Sequence, residues 1–166
     1  MKKAIPTELT SANIEKVMEV LRTTPAQLES FSKLLLEKGL RQPLGTGERS
    51  MTEDIAHLIH TEARSSEAIY LALLLDEPLM ADVHPERQWG KLLRYDLLPF
   101  SDLLSYFKVR RAVLLRVLDS LTEEQWGRAI REEGKKRKES LYWRARTIAM
   151  HELDHLTDLR NKLEGR

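Results

Sequence analysis

The sequence predicts an all-α protein, arranged as a four-helix bundle with an N-terminal helical extension. Apolar residues recur with a helical period in several long segments, while no segment alternates apolar and polar residues long enough to predict a β-strand. The chain has 166 residues, of which 42% are hydrophobic. That length suits a single domain, residues 1–166, whose bundle core is expected between about residues 24 and 163.

Two helices are predicted before the first loop. The first covers residues 11–22, and the second begins with Thr24 as N-cap and Pro25 at the first helical position. Pro25 favours a helix start because its ring fixes φ and its missing N–H is not needed there. The second helix is expected to end at residues 38–39, before a loop rich in glycine and proline over residues 42–47.

The remaining helices are separated by one long connection. They are predicted from about residue 50 to 75, from 101 to 120 and from about 140 to 163, with a short capped turn at residues 122–125. The connection, residues 76–99, is longer than most loops in compact domains. This length suggests a lid or a pocket wall.

Composition excludes several classes of function. The chain has no cysteine, so disulfides, thiolate ligands and a protein thiol nucleophile are ruled out. A net charge of +1, from 27 basic and 26 acidic residues, gives no overall field for nucleic acid or anionic lipid. The basic run at residues 135–138 is interpreted as a solvated loop.

The same sequence also bears on where the protein acts. Its first ten residues, MKKAIPTELT, lack the apolar segment of a secretory signal. The longest apolar run, residues 69–75, is much shorter than the ~20 residues of a membrane-spanning helix. A cytoplasmic protein with neither a nucleic-acid nor a membrane partner is therefore expected.

The strongest chemical signal is a histidine pair near the C-terminus. His151 and His155 stand four residues apart in HELDH, so on a helix their rings lie on one face and can share a metal ion. A pair of ordinary surface histidines is the alternative. However, Glu152 and His155 fall on the apolar stripe of the last helix, where a buried polar group needs a partner.

The HELDH motif matches the H-E-x-x-H pattern of zinc metalloproteases, but those enzymes take a third ligand from well downstream. Almost nothing follows here, so any third ligand has to come from earlier in the chain. The third predicted helix offers three candidates: His57, His60 and Glu62.

Three segments resemble the DinB/YfiT superfamily of metal-binding four-helix proteins: IAHL, LLRVLDSLTEEQWGRAI and MHELDHLTDL. The resemblance runs from about residue 24 to 163. It implies one divalent metal ion, zinc or nickel, bound by His57, His151 and His155. His60 and Glu62 are possible supporting residues around these ligands, and Glu62 is alternatively a fourth ligand or part of a buried salt bridge.

Periodicity by itself does not select His57. This residue lies opposite the most apolar stripe of its helix, which includes Ile55, Leu58 and Ile69. Either two faces of the helix are covered, or the metal lies at an open edge of the bundle where substrate enters. It is the resemblance that favours His57 over His60.

The resemblance also implies a function, because the superfamily includes thiol S-transferases and proteins assigned as hydrolases. A metal held by three neutral imidazoles with one open position lowers the pKa of a bound water toward ~7 or holds a bound thiol as its thiolate. The expected function is a metal-dependent enzyme that activates a low-molecular-weight thiol or water for attack on a small electrophilic substrate. The alternatives are a small-molecule hydrolase and a non-catalytic, metal-stabilised binding or stress-response protein.

Several further residues are tied to these alternatives. In a hydrolase, Glu152 or Asp154 is a candidate general base. The stronger expectation is that Glu152 pairs with Arg144 or Arg146 and that Asp154 faces solvent from its position on the last helix. The resemblance also implies a homodimer, which an exposed apolar face on the first helix would support. In the long connection, His84 and Trp89 can line a pocket. The aromatic residues expected to pack at helix ends are Trp126, Tyr142 and Trp143. The residues that could supply a hydroxyl group to a site are Tyr70, Tyr95 and Tyr106.

Overall fold

The computed structural model describes residues 5–164, apart from the side chain of Glu86. Four long helices form the bundle: α1 (Ser11–Ser32), α2 (Met51–Leu74), α4 (Phe100–Asp119) and α6 (Leu141–Glu164). Two short helices lie in the connections: α3 (Lys91–Leu93) and α5 (Glu123–Trp126). α1 and α2 each pack against both α4 and α6. The predicted all-α four-helix bundle is confirmed.

The prediction of two helices divided at Thr24 is wrong, because α1 runs through this position without a break. The Thr24 hydroxyl donates to the carbonyl of Val20 at 2.8 Å, and Pro25 lies inside the helix. α1 ends at Ser32, and only a short 3-10 helix, Glu37–Arg41, follows. The first helix is therefore a full member of the bundle, and between residue 5 and the start of α1 at Ser11 the structure shows no separate helical extension.

The starts of α2, α5 and α6 agree with the sequence because they depend on local capping. Ser50 caps α2 and forms a capping box with Glu53, whose carboxylate accepts the Ser50 backbone N–H at 2.7 Å. Thr122 and Gln125 form the second predicted box at α5. Ser140 precedes α6, and its hydroxyl accepts the backbone N–H of Trp143 at 3.1 Å.

A small sheet is present that the sequence did not predict. β1 (Leu79–Met80) pairs in parallel with β2 (Ala129–Glu132), which pairs antiparallel with β3 (Glu139–Ser140). Two of these strands have only two residues, so they are too short to show alternation. The basic run at residues 135–138 lies in the exposed connection between β2 and β3, as predicted.

The long connection between α2 and α4 is ordered into short elements. After β1 come a π-helical segment (Pro85–Gly90), α3 and a 3-10 helix (Tyr95–Leu97). The π-helical segment and the 3-10 helix both pack against α2. The connection thus covers one side of α2, in agreement with the predicted role of a pocket wall.

The core consists of two apolar layers with buried polar groups between them. The first layer lies near the start of α6 and the end of α2, and the second near the end of α6 and the start of α2. Each of the four long helices contributes one fully or almost fully buried polar residue to the level between these layers: Thr24, Glu62, Arg111 and Glu152. We call these four residues the polar layer.

Two predictions about surfaces can be compared with the structure. Within residues 5–164, no helix has both the length and the apolar character needed to span a bilayer. In the same range, α1 exposes no large apolar side chain; the exposed ones on the bundle helices include Tyr106, Val109 and Val113 of α4. The homodimer stays a prediction, and the exposed apolar face of the first helix that would support it is not found on α1 in the described residues.

Candidate metal centre

Three imidazoles from two helices converge at one point on the side of the bundle. His57 projects from α2, and His151 and His155 project from α6. The Nε2 atoms of His57 and His151 are 3.0 Å apart, and the three ring centroids are separated by 4.5–4.9 Å. One nitrogen from each ring lies within 4.8 Å of the other two. The helical spacing of His151 and His155 therefore brings both rings to His57.

The spacing of the His57 and His151 nitrogens is suitable for a common metal ion. Two nitrogens bound to one zinc ion at about 2.0–2.1 Å are about 2.8–3.4 Å apart for angles between 90° and tetrahedral. The observed separation of 3.0 Å between His57 and His151 lies inside that range. Imidazole suits zinc, nickel and other late first-row ions. The group can hold a divalent ion, and its donor set does not identify which one.

His57 is held in the form that binds metal. Burial is the largest cause that lowers its pKa, from the ordinary 6.5 to about 3, and the positive charge of Arg49 adds to the effect. The neighbouring His151 and His155 act in the same direction. The His57 ring is therefore neutral at physiological pH, as a histidine ligand has to be.

Asp54 lies behind the third histidine. Its Oδ1 atom is 3.4 Å from Nδ1 of His155 and 3.8 Å from a guanidinium nitrogen of Arg49. The Asp54 side chain is only 3% exposed. The Nδ1 edge of His155 consequently faces a buried carboxylate.

The polar layer lies at the level of the histidines, because Glu152 directly follows His151 in the chain. Arg111 of α4 donates to Glu62 at 2.6 Å and contacts both carboxylate oxygens of Glu152. Burial acts to lower the pKa of Arg111, but the carboxylates of Glu152 and Glu62 outweigh it and hold the pKa above its ordinary value. The arginine is charged and fixes α2, α4 and α6 relative to one another.

This arrangement decides between the alternatives for the two glutamates. Glu62 forms the buried salt bridge that the sequence allowed, with Arg111 as its partner. Glu152 is buried as predicted, but it pairs with Arg111 and not with Arg144 or Arg146. Arg144 contacts Glu132 and Glu139 instead, and Arg146 donates to the carbonyl groups of Ile5 and Pro6.

Two cavities flank the histidines. The first, of about 270 Å³, reaches His151 and is bounded by α2, α6 and the connection. Its lining includes hydroxyl, apolar and charged side chains, among them Thr61, Val83, His84, Arg144 and Thr147. The second, of about 170 Å³, lies beside His57 and is lined by Arg49, His60, Gly90 and Asp96. His57 and His151 are thus accessible from the space between the bundle and the connection.

Comparison with known proteins adds a family to this geometry. A family model described as the DinB superfamily matches residues 20–159. The chain belongs to the DinB superfamily. The resemblance found in the three sequence segments is thereby confirmed. No curated protein is similar enough in sequence to match this DinB chain.

Two solved structures share the DinB fold of this chain. One is YfiT from Bacillus subtilis, described as "a probable metal-dependent hydrolase with an unusual four-helix bundle topology", with a TM-score of 0.82 and 18% identity over 95% of this chain and 89% of that one. The other is a mycothiol-dependent maleylpyruvate isomerase, with a TM-score of 0.61 and 17% identity over 85% of this chain and 60% of that one. At these identities, both show the fold alone.

Four further candidate residues lie outside the group of three histidines. His60 is buried one turn after His57 and stacks on Tyr95 at 5.0 Å, so it joins α2 to the connection. His84 lines the first cavity, and Trp89 is not among its lining residues. Asp154 is exposed on α6, as its helical position predicted.

Trp126 and Tyr142 pack edge to face in the core, as expected. Trp143 is partly buried, with the guanidinium groups of Arg137 and Arg146 over its ring. Of the three candidate tyrosines, Tyr95 stacks on His60 and meets Tyr106 edge to face, with the two tyrosine ring centroids 5.9 Å apart.

Two residues important to the site were missed by sequence reasoning. Arg111 lies between Phe107 and Leu114 on the apolar stripe of α4, and a charge at that position was a visible signal of a buried ion pair. Asp54 lies one turn before His57 in α2, which hints at a shared site. Neither signal names a partner, because Glu152 and His155 come from the distant α6.

Proposed function

We propose that His57, His151 and His155 bind one divalent metal ion, zinc or nickel, in a metal-dependent enzyme of small-molecule chemistry. The enzyme activates a low-molecular-weight thiol or water for attack on a small electrophilic substrate, and a thiol S-transferase is the favoured form. The observation that carries this proposal is the convergence of three imidazoles, and no fourth protein ligand within the described residues, beside a cavity.

An open coordination position supports an enzyme over a purely structural site. Structural zinc sites are usually closed by four protein ligands, whereas catalytic sites keep three and leave one position for water or substrate. Here His151 both belongs to the ligand group and lines the cavity of about 270 Å³. A small substrate in that cavity would reach the ion directly. The ion's chemistry would be to supply a nucleophile at neutral pH.

The residues around the ion have separate tasks in this proposal. The neutral ring of His57 is ready to bind metal at physiological pH, because burial and Arg49 disfavour its protonation. Glu152 is a structural residue and not a general base, since Arg111 contacts both of its carboxylate oxygens. Thr61 and Thr147 face the cavity, and their hydroxyl oxygens can accept hydrogen bonds from a polar substrate, since each O–H donates to a backbone carbonyl.

The absence of cysteine from the chain fits a thiol transferase, because the nucleophilic sulfur then arrives on the cosubstrate. Support also comes from the structural neighbours, one described as metal-dependent and the other as mycothiol-dependent. The second candidate function is a hydrolase, which the description of YfiT favours. A thiol transferase requires an added thiol for turnover, whereas a hydrolase does not.

Metal content is the first test. Untagged protein purified without chelator is analysed by inductively coupled plasma mass spectrometry, beside His57→Ala, His155→Ala and the matched control His60→Gln. His60 is in the same helix as His57 but outside the ligand group. We expect about one equivalent of zinc or nickel in wild type and in the control, and little in the two alanine variants. Metal-free wild type after incubation with both ions would overturn the proposal.

Turnover is tested on the metal-loaded protein. Candidate thiols, including glutathione, free cysteine and mycothiol, are combined with 1-chloro-2,4-dinitrobenzene, and p-nitrophenyl acetate without thiol serves as the hydrolase probe. Thiol-dependent product that disappears in His155→Ala supports the transferase. Ester cleavage without thiol supports the hydrolase. One bound metal that raises the melting temperature, with no turnover of a broad substrate panel, would favour the non-catalytic binding or stress-response alternative.

A further inference from the structure

We propose that Asp54 is a positioning residue of the metal centre, an inference that rests on the proposed metal function. Its carboxylate accepts a hydrogen bond from Nδ1–H of His155, which leaves Nε2 of that ring for the ion. The same carboxylate places a negative charge next to a centre whose three imidazole ligands are neutral. Asp54 thus orients one ligand and offsets part of the charge of the ion.

The contact between the two side chains is specific. Asp54 Oδ1 is 3.4 Å from His155 Nδ1, so a small rotation of either side chain brings the pair to an ordinary hydrogen-bond distance. The imidazole is also well covered, since only 16% of the His155 side chain is exposed. A histidine that donates one ring N–H to a carboxylate and uses its other nitrogen for a metal is a recurrent arrangement in metal sites.

The second observation is a buried carboxylate oxygen without a hydrogen-bond partner. The Oδ2 atom of Asp54 is buried and has no hydrogen-bond partner among the described residues. The cationic group beside it is the 39%-exposed side chain of Arg49, whose guanidinium nitrogen is 3.8 Å from Oδ1. Burying a carboxylate in this way is costly unless a positive charge compensates it. A divalent ion on the far side of the His155 ring would add to the positive charge that the partly exposed Arg49 provides.

Asp54 is not a fourth ligand in this arrangement. The nitrogens of the three histidines form a group within 4.8 Å, and this group does not include a carboxylate oxygen of Asp54. The residue acts through the imidazole of His155. Because Asp54 and His57 are one turn apart in α2, a single helix supplies one ligand and the group that orients another.

The test uses zinc as the probe and needs two kinds of measurement. Two-bond ¹H–¹⁵N correlation spectra of wild type, labelled with ¹⁵N-histidine and loaded with zinc, assign the protonated nitrogen of His155. We expect Nδ1 to carry the proton and Nε2 to bind zinc. Zinc affinity is then measured by competition with a chromophoric chelator for wild type, Asp54→Asn, Asp54→Ala and the control Asp158→Asn, which makes the same charge change at an exposed position of α6.

The expected loss of affinity is about 10- to 100-fold in Asp54→Asn and at least as large in Asp54→Ala, with Asp158→Asn within about twofold of wild type. Failure of wild type to bind zinc through the three histidines would overturn the proposed function and this inference with it. Zinc bound through Nδ1 of His155 would overturn the role of Asp54 alone. So would unchanged affinity in a folded Asp54→Asn. If an Asp54 variant does not fold, the wild-type spectra decide the question.

Discussion

Arg111 donates a hydrogen bond of 2.7 Å to the backbone carbonyl of Leu21, which lies four residues before Pro25. In an unbroken helix this carbonyl would accept the N–H of residue 25, but proline has none. The guanidinium of Arg111 supplies the missing donor from α4. Its other contacts reach Glu62 and Glu152, so one buried side chain connects all four helices of the bundle.

Replacing Arg111 by methionine is expected to lower the free energy of unfolding by about 3–5 kcal/mol, because two buried carboxylates and the Leu21 carbonyl lose their partner. Urea unfolding followed by circular dichroism measures the change. Arg116→Met, at an exposed position of the same helix, is the matched control and should stay within about 0.5 kcal/mol of wild type. The triple variant R111M/E62Q/E152Q should recover part of the loss. A loss below about 1 kcal/mol in R111M would contradict this role.

The stability of the metal-free protein is expected to fall as pH decreases from about 6.5 toward 3. The reason is the lowered pKa of His57, about 3 in the folded protein against an ordinary value of 6.5. Between these values the unfolded chain binds the proton that the folded one excludes, so the contribution of His57 is complete above 6.5 and is lost as pH falls. Urea titrations of chelator-treated protein at pH 8, 6.5, 5 and 4 measure the trend.

The variant His57→Gln separates this contribution from those of other groups. The free energy of unfolding of the wild type, relative to that of His57→Gln, should decrease as pH falls below 6.5. Other titrating groups affect both proteins and largely cancel. A difference that stays constant from pH 8 to pH 4 would show that the ring is not held in its neutral form.

The capping boxes of α2 and α5 offer a matched pair for testing how the site depends on its helix. Ser50→Ala and Thr122→Ala should each cost about 1 kcal/mol of stability, since each removes the acceptor for a backbone N–H in the first turn. Only Ser50→Ala should also weaken zinc binding, because the start of α2 carries Asp54 and His57. Chelator competition measures affinity, and equal affinities in the two variants would contradict the prediction.

The cavity beside His151 is tested by filling it. Thr147 lines this cavity, and Thr157, ten residues later in α6, is exposed and does not line it. Both hydroxyls donate to the carbonyl four residues earlier at 2.8 Å, so the two threonines are matched in local structure. Thr147→Phe should reduce turnover at least tenfold with about one equivalent of metal retained, and Thr157→Phe should change neither. Full turnover in a metal-loaded Thr147→Phe would place the substrate elsewhere.

Features that depend on neighbours in the chain could be predicted from the sequence. The capped turn predicted at residues 122–125 is confirmed as a capping box of Thr122 with Gln125, and the predicted helix start near residue 50 agrees with the box that Ser50 forms with Glu53. The pair His151 and His155 lies on one face because a helix repeats every 3.6 residues. Glu62 and Glu152 could be recognised as buried because a charged residue on an apolar stripe stands out.

Sequence reasoning was wrong or silent where a partner from another element decided the outcome. Pro25 has the same local preference wherever it occurs, and only the guanidinium of Arg111 explains why the helix continues through it. The helical wheel of α2 did not decide whether the side that carries His57 is covered. The wheel shows one apolar stripe, but it does not show that α4, α6 and the connection together cover more than one face of α2. The short strands β1 and β3 are set by pairing with β2, not by their own composition.

The sequence alone therefore determined the all-α fold, the capped turn at residues 122–125 and the shared face of His151 and His155, because these follow from interactions within a few residues. Only the tertiary structure decided that His57 meets them, that Asp54 faces His155 and that Arg111 joins Glu62 to Glu152. The physical reason is that each of these contacts joins side chains on different helices. Their distances depend on how the helices pack, which the periodicity of a single helix does not contain.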